Sequence, residues 1–153
     1  MVKARQLCTF VLGDLMFGVE VMKVQEVIRF QAMTRVPLAS SVVRGLINLR
    51  GQIVTAIDVR ARFGLPPLGD AQEPMNVVLS TGDGVVSLLV DDIGDVLEVH
   101  ESDFERPPET LPAVFRDVVV GLYKLERRLL LLLDVERIVT PKMTGATTVG
   151  SAA

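Results

Sequence analysis

Val43 to Phe63 reads VRGLINLRGQIVTAIDVRARF, and Val119 to Val139 reads VVGLYKLERRLLLLLDVERIV. Laid over one another without a gap, the two stretches repeat Val43, Gly45, Leu46, Leu49, Asp58 and Val59 as Val119, Gly121, Leu122, Leu125, Asp134 and Val135. The apolar positions between them match in character. Two further blocks keep the same order upstream. FGVEVMKVQEVIRF from Phe17 corresponds to VSLLVDDIGDVLEV from Val86, and FVL (Phe10 to Leu12) to VVL (Val77 to Leu79). Three blocks in one order mark a duplicated unit of roughly 60 residues, the kind of internal repeat that decides an architecture.

Within each unit the period is that of strands. Val19 and Val21 alternate with Glu20 and Met22, and Val85 to Val90 is an apolar run bounded by a TGDG turn. Short apolar runs flank Arg50-Gly51 and Arg127-Arg128, a spacing that suits two-residue hairpin turns, and Gly51 supplies positive φ at low cost. Helical pieces are expected to be short, at Met22 to Glu26, Asp58 to Phe63 and Asp134 to Ile138. Asp58 and Asp134 are natural N-caps, because a carboxylate accepts from the free N–H groups of a first turn. Gly64-Leu65-Pro66-Pro67 ends the second of these pieces and opens a linker to about Pro74. Many short strands in two repeats predict a mainly β protein: a pair of small barrels with a few short helices, whose first strands are cut short by the chain start or the linker, which leaves an exchange of terminal strands open.

Composition removes several functions. The 153 residues bury a sizeable core without a staple, and 49% hydrophobic residues are too many for a disordered chain. A net charge of -3 argues against a phosphate-backbone binder, so no nucleic-acid partner is expected. The single Cys forms no internal disulfide and the single His builds no multi-His metal centre. No apolar stretch approaches the roughly 20 residues that span a bilayer, and no cleavable leader is visible after Lys3 and Arg5, which leaves a cytoplasmic domain with no direct membrane insertion. Cys8 lies in an apolar strand and reads as an inert thiol; His100 reads as a strand end beside Glu101. Asp91, Asp92, Asp95 and Glu98 lack the ligand spacing of a calcium loop and read as a solvated acidic edge. Gly82-Asp83-Gly84 is followed by a strand where a phosphate loop needs a helix, so it reads as a hairpin turn. No catalytic, cofactor or metal residues are therefore assigned. What remains is a binding module whose exposed apolar residues serve partners.

Duplicated halves share what the fold needs, so their differences point to function. Arg50 and Gly51 at the first hairpin are replaced by Glu126 and Arg127 at the second. A planar guanidinium at a hairpin tip is a good interface anchor when a carboxylate is near.

The block Val42 to Gly64 resembles the signature of the CheW family, the coupling proteins of bacterial chemotaxis. FGVEVMKVQEVIR from Phe17 and VVSLLVDDIGDVLEV from Val85 fit the same pattern. The chain departs from it at Thr55, where the family usually carries Pro, and at Val59 instead of Leu. The resemblance implies two SH3-like five-stranded barrels packed as an intertwined pair within residues 7–140. The first barrel is expected at about 14–69 and the second at about 70–139 with the strand 7–13, followed by a flexible tail over 141–153. The resemblance also implies a non-enzymatic scaffold that links chemoreceptors to the histidine kinase CheA. It would bind the receptor's cytoplasmic hairpin tip in a groove and join the kinase's regulatory domain barrel to barrel, in rings with kinase or self. Family contact positions fall on Val24, Glu26, Gly45, Arg50, Ile93 and Val96. Val24 and Ile93 are repeat equivalents, as are Val27 and Val96. The equivalent coupler of a pilus-driven motility pathway is the closest alternative. A hydrolase or small ligand-binding barrel lacks convergent polar groups, and an excised kinase regulatory domain is disfavoured by the start at Met1.

Overall fold

The computed structural model describes residues 4–37, 39–69, 72–82 and 84–138. The expected tail over 141–153 lies outside them. The chain runs β1 (Ala4–Leu12), β2 (Leu15–Glu20), β3 (Val24–Arg29), β4 (Val43–Leu49), β5 (Gln52–Asp58) and helix α1 (Val59–Arg62). It continues with β6 (Met75–Thr81), β7 (Gly84–Val90), β8 (Asp92–His100), β9 (Phe104–Glu105), helix α2 (Ala113–Arg116), β10 (Val119–Lys124) and β11 (Leu129–Leu133). A last helical turn covers 135–138. These strands form two sheets, ordered β3-β6-β7-β5-β4 and β8-β1-β2-β11-β10-β9. They are two SH3-like barrels, the second carrying two-residue β9 as a sixth strand.

The duplication holds in register, but its leading strands match two residues away from the expected Phe10 to Leu12: Val77 to Leu79 stand where Cys8 to Phe10 do. Val27 faces Val77 as Val96 faces Cys8, and in both pairs the ladder slips just before, between Val24 and Glu26 and between Cys8 and Phe10. Thr55 pairs in parallel with Val86 as Leu131 does with Phe17. The hairpins β4–β5 and β10–β11 share a bulge, after Val43 and after Val119.

Strand exchange goes further than the expected division at 14–69 and 70–139. Both β1 and β2 join the second barrel, and both β6 and β7 join the first. Each half therefore lends its leading hairpin to the other. The cause is the connections β2–β3 and β7–β8. Only Val21–Lys23, a 3₁₀ turn, separates β2 from β3, and Asp91 alone separates β7 from β8. Asp91 alone is shorter than the two-residue loops that close hairpins, and Val21–Lys23 is taken up by its 3₁₀ turn, so at both links the chain passes from one barrel into the other. The expected helix at Met22 to Glu26 is this turn followed by strand; branched Val24, Val27 and Ile28 favour the extended form.

One core serves both barrels. Phe10, Phe17 and Val19 of the second cluster with Ile57, Val77, Leu79 and Leu88 of the first, together with Val59, Val135 and Ile138 from the helical turns. A stack of rings crosses the boundary: Phe10–Phe17 at 5.7 Å, Phe17–Phe63 at 5.3 Å and Phe63–Phe115 at 4.6 Å between centroids. The expected N-caps are in place. Asp58 accepts from the Ala61 N–H at 3.1 Å, and Asp134 from those of Glu136 and Arg137 at 3.0 and 3.2 Å. Cys8 is buried, and desolvation pushes its thiol pKa up, as an inert core thiol requires.

Candidate partner-binding site at the first barrel's hairpin tip

Leu49 pairs with Gln52, which leaves Arg50-Gly51 as a two-residue turn with φ of +52° and +90°. Positive φ at both central residues is the mark of a type I′ turn, where Asn or Gly normally occupies the first place. Arg50 is the only described residue other than glycine in that region, a conformation that a side chain makes costly. Two interactions hold it there. The Asn48 side chain accepts from the Gly51 N–H at 2.8 Å, and both terminal nitrogens of Arg50 donate to the two carboxylate oxygens of Glu26 at 2.7 Å each. The structure thus joins two residues that the sequence reading placed apart. The carboxylate for the Arg50 fork comes from its own chain.

Glu26 lies on β3 and Arg50 follows β4, and these strands are the two edges of the five-stranded sheet. The pair closes the barrel mouth across its open seam. Its Arg50 side chain stays 75% exposed, whereas that of Glu26 is 19% exposed, so the guanidinium presents its outer edge to solvent. The bond to Arg50 is the main reason the Glu26 carboxyl sits below the usual range; slight desolvation opposes it, and the Arg50 charge adds to it. In the second barrel the equivalents of Glu26 and Arg50 are Asp95 and Glu126, two acids. The tip there is Glu126-Arg127, because Leu125 donates to the Arg128 carbonyl at 2.9 Å, and not the expected Arg127-Arg128.

Gly45 is a strand glycine at the β4 bulge. A Cβ there would stand 2.8 Å from the Thr34 carbonyl oxygen, where Thr34 and Leu46 exchange backbone bonds of 2.9 and 2.8 Å. Gly121 is hemmed in the same way, by the Phe104 ring and the Glu105 carbonyl. Close backbone approach thus accounts for glycine in both halves. Val24 is the first residue of β3 and Ile93 the second of β8, just past the two crossings, and both pack against the shared core, half-buried. Val96 is 54% exposed and its equivalent Val27 37%. Another duplicated apolar pair, Ile53 and Leu129, stands exposed at the start of β5 and β11.

The acidic run does not behave as one edge. Asp92, Asp95 and Glu98 are exposed, but Asp91 is only 15% exposed and receives Arg60 through Nε at 2.6 Å and through a terminal nitrogen at 2.5 Å. Sequence reading missed Arg60. Its signal was the repeat, since Arg60 stands opposite Glu136 as Arg50 does opposite Glu126.

Among known proteins, the family model described as a CheW-like domain matches residues 6–142. The chain is 31% identical over 131 residues to the chemotaxis protein CheW of Klebsiella aerogenes, covering 86% of this chain and 79% of that one. It is 30% identical over 133 residues to the chemotaxis protein CheW of Bacillus subtilis, covering 87% and 85%. The crystal structure of the scaffolding protein TtCheW from Thermoanaerobacter tengcongensis matches with a TM-score of 0.81 at 23% identity, over 92% of this chain and 97% of that one, a likeness of fold. With the duplicated registers and a family match that spans nearly the whole described chain, the protein belongs to the CheW-like domain family.

Proposed function

We propose that this chain is a non-enzymatic adaptor that couples chemoreceptors to a CheA-type histidine kinase. Its relatives are chemotaxis proteins, and its fold neighbour is a scaffolding protein. The observation that carries the reading is the Arg50–Glu26 pair: an exposed guanidinium gripped by a carboxylate and kept in a costly backbone conformation at one hairpin tip, where the other half has Glu126 at the equivalent position. Such an outlier persists where the surrounding structure holds it for a purpose. Arg50, Glu26, Val24, Ile93 and Val96 are the residues assigned to the receptor's hairpin tip and the kinase's regulatory domain, together with Gly45, which admits the Thr34 backbone beside β4. The kinase's double barrel joins this one barrel to barrel, in rings with kinase or self. The adaptor works in the cytoplasm at membrane-bound arrays, which it reaches through protein contacts; none of the described helices is long and apolar enough to cross a membrane.

Co-sedimentation with receptor-hairpin fragments and kinase, with kinase activity as the readout, tests this. Arg50→Ala is expected to leave the melting temperature unchanged and to lower coupling by roughly tenfold or more, the scale of a lost charge-assisted interface contact. Arg50→Lys also fails, since a point charge does not reproduce the fork. Glu126→Ala couples normally. Full kinase activation by a folded Arg50→Ala protein removes Arg50 from the site.

A further inference from the structure

Four segments meet at Asp91. Its carboxylate accepts from Arg60 on α1 and, at 2.7 Å, from the Gly13 N–H at the tip of the β1–β2 hairpin. Its own N–H donates to the Val11 carbonyl at 3.1 Å. The remaining terminal nitrogen of Arg60 reaches the Pro66 carbonyl in the linker at 2.7 Å. Helix α1 belongs to the first barrel and the β1–β2 hairpin to the second, while Asp91 is itself the whole passage between them. One nearly buried ion pair, with side chains 18% and 15% exposed, therefore ties both barrels to the crossing. Bidentate geometry fixes an angle as well as a distance, which a single contact does not.

Among the described residues, the second crossing carries no equivalent ion pair. Asp91 is replaced by Met22, 91% exposed, and Arg60 by Glu136. Glu136 caps the Gly82 N–H of the β6–β7 hairpin directly, at 3.1 and 3.2 Å, on an exposed face. The same hairpin-tip amide is capped in both halves, once by a clamped carboxylate and once by a free one.

We propose that Arg60 is a positioning residue for partner binding: by clamping Asp91 it sets the orientation of the barrels and so the placement of Ile93 and Val96 on β8 against Val24 on β3. This rests on the coupling function above, because those three residues are its proposed contacts. A charge alone does not suffice for the clamp, since the fork must span both oxygens and the linker carbonyl together.

The test uses the full chain with spin labels at Gln25→Cys on β3 and Glu98→Cys on β8, both exposed positions, with Cys8 buried away from the label. Arg60→Gln is expected to broaden the distance distribution between the labels, while circular dichroism keeps the wild-type strand signal. Without labels, the same substitution weakens binding of receptor-hairpin fragments on the order of tenfold, within the range of coupling changes from residues outside a contact. Arg60→Lys falls between the two, and Glu136→Gln leaves the distribution as in wild type. An unchanged distribution in Arg60→Gln overturns the proposal whatever the binding does. If Arg60→Gln does not fold, Asp91→Asn carries the same readout, because it keeps the acceptor for Gly13 and removes the charge that Arg60 grips. Wild-type protein that binds no receptor fragment defeats the coupling function alone, and the label distances still decide the clamp.

Discussion

The hairpin tips of the two barrels, Arg50-Gly51 and Glu126-Arg127, rest on the same strand register and place opposite charges at its first position. In the first, a cation bridges the two edge strands of its sheet through Glu26. In the second, the equivalent places hold Asp95 and Glu126, and no described residue other than Arg50 and glycine adopts positive φ. The barrel thus forms without a cation at that position and without the left-handed turn. Where the halves agree, as at Gly45 and Gly121 or Asp58 and Asp134, the agreement marks what folding needs. Where they differ, the fold left the position free for another use.

This division can be broken by substitution. The largest effect is expected from Phe17→Ala, in the middle of the ring stack, at about 3–5 kcal/mol. Because that stack belongs to both barrels, Tyr123 fluorescence and far-UV circular dichroism are expected to report one shared urea transition at a lower midpoint. Two separated transitions would show barrels with independent cores.

Next come Gly45→Ala and Gly121→Ala. Each pushes a methyl group against a backbone carbonyl, and each is expected to cost about 1–3 kcal/mol in urea unfolding. A large cost in only one half would mean that the two bulges do different jobs. The N-caps follow, with Asp58→Ala and Asp134→Ala each losing about 1 kcal/mol.

The ion pairs give the smallest stability signals and the sharpest contrast in pH. Burial would raise the Asp91 pKa, but the bonds from Arg60 and Gly13 and the Arg60 charge outweigh it, and the net position is below the ordinary carboxylate value. A depressed folded-state pKa contributes stability above the unfolded value and loses it as pH falls through the folded one. Asp91→Asn is therefore expected to be less stable than wild type at neutral pH, with the gap closing in acid; a gap independent of pH would remove the ion pair as its cause. Glu26 follows the same sign. Its carboxyl, followed by NMR, is expected to titrate at higher pH once Arg50→Ala removes the bond that lowers it.

Much of this was legible in the chain. The repeat could be read because the hairpins β4–β5 and β10–β11 and the turns after them meet similar packing demands, and the caps because an aspartate before a short apolar turn has few other uses. The full exchange of leading hairpins could not. Residues Leu15 to Arg29 carry the same apolar alternation whether their strands pair within one barrel or pass between two, and three residues at Val21–Lys23 suit a hairpin loop as well as the 3₁₀ turn they form. The Arg50–Glu26 pair escaped because its members are 24 residues apart and meet across a barrel seam that no periodicity describes. Asp91 was hidden by its neighbours, since a clamped aspartate and three solvated acids look alike in a row.

The parallel pairings β5–β7 and β11–β2 make each half an unfinished object. Cut within the linker between Gly64 and Pro74, the chain would become two pieces, each holding the hairpin that the other lacks. Their union would then be a bimolecular event, as in an exchanged dimer. The linker turns that encounter into an intramolecular one, at an effective concentration on the order of millimolar for a short tether. Assembly of the intact chain is accordingly first order, and its barrels stay closed at any dilution, whereas co-expressed halves would reassemble only above a threshold concentration.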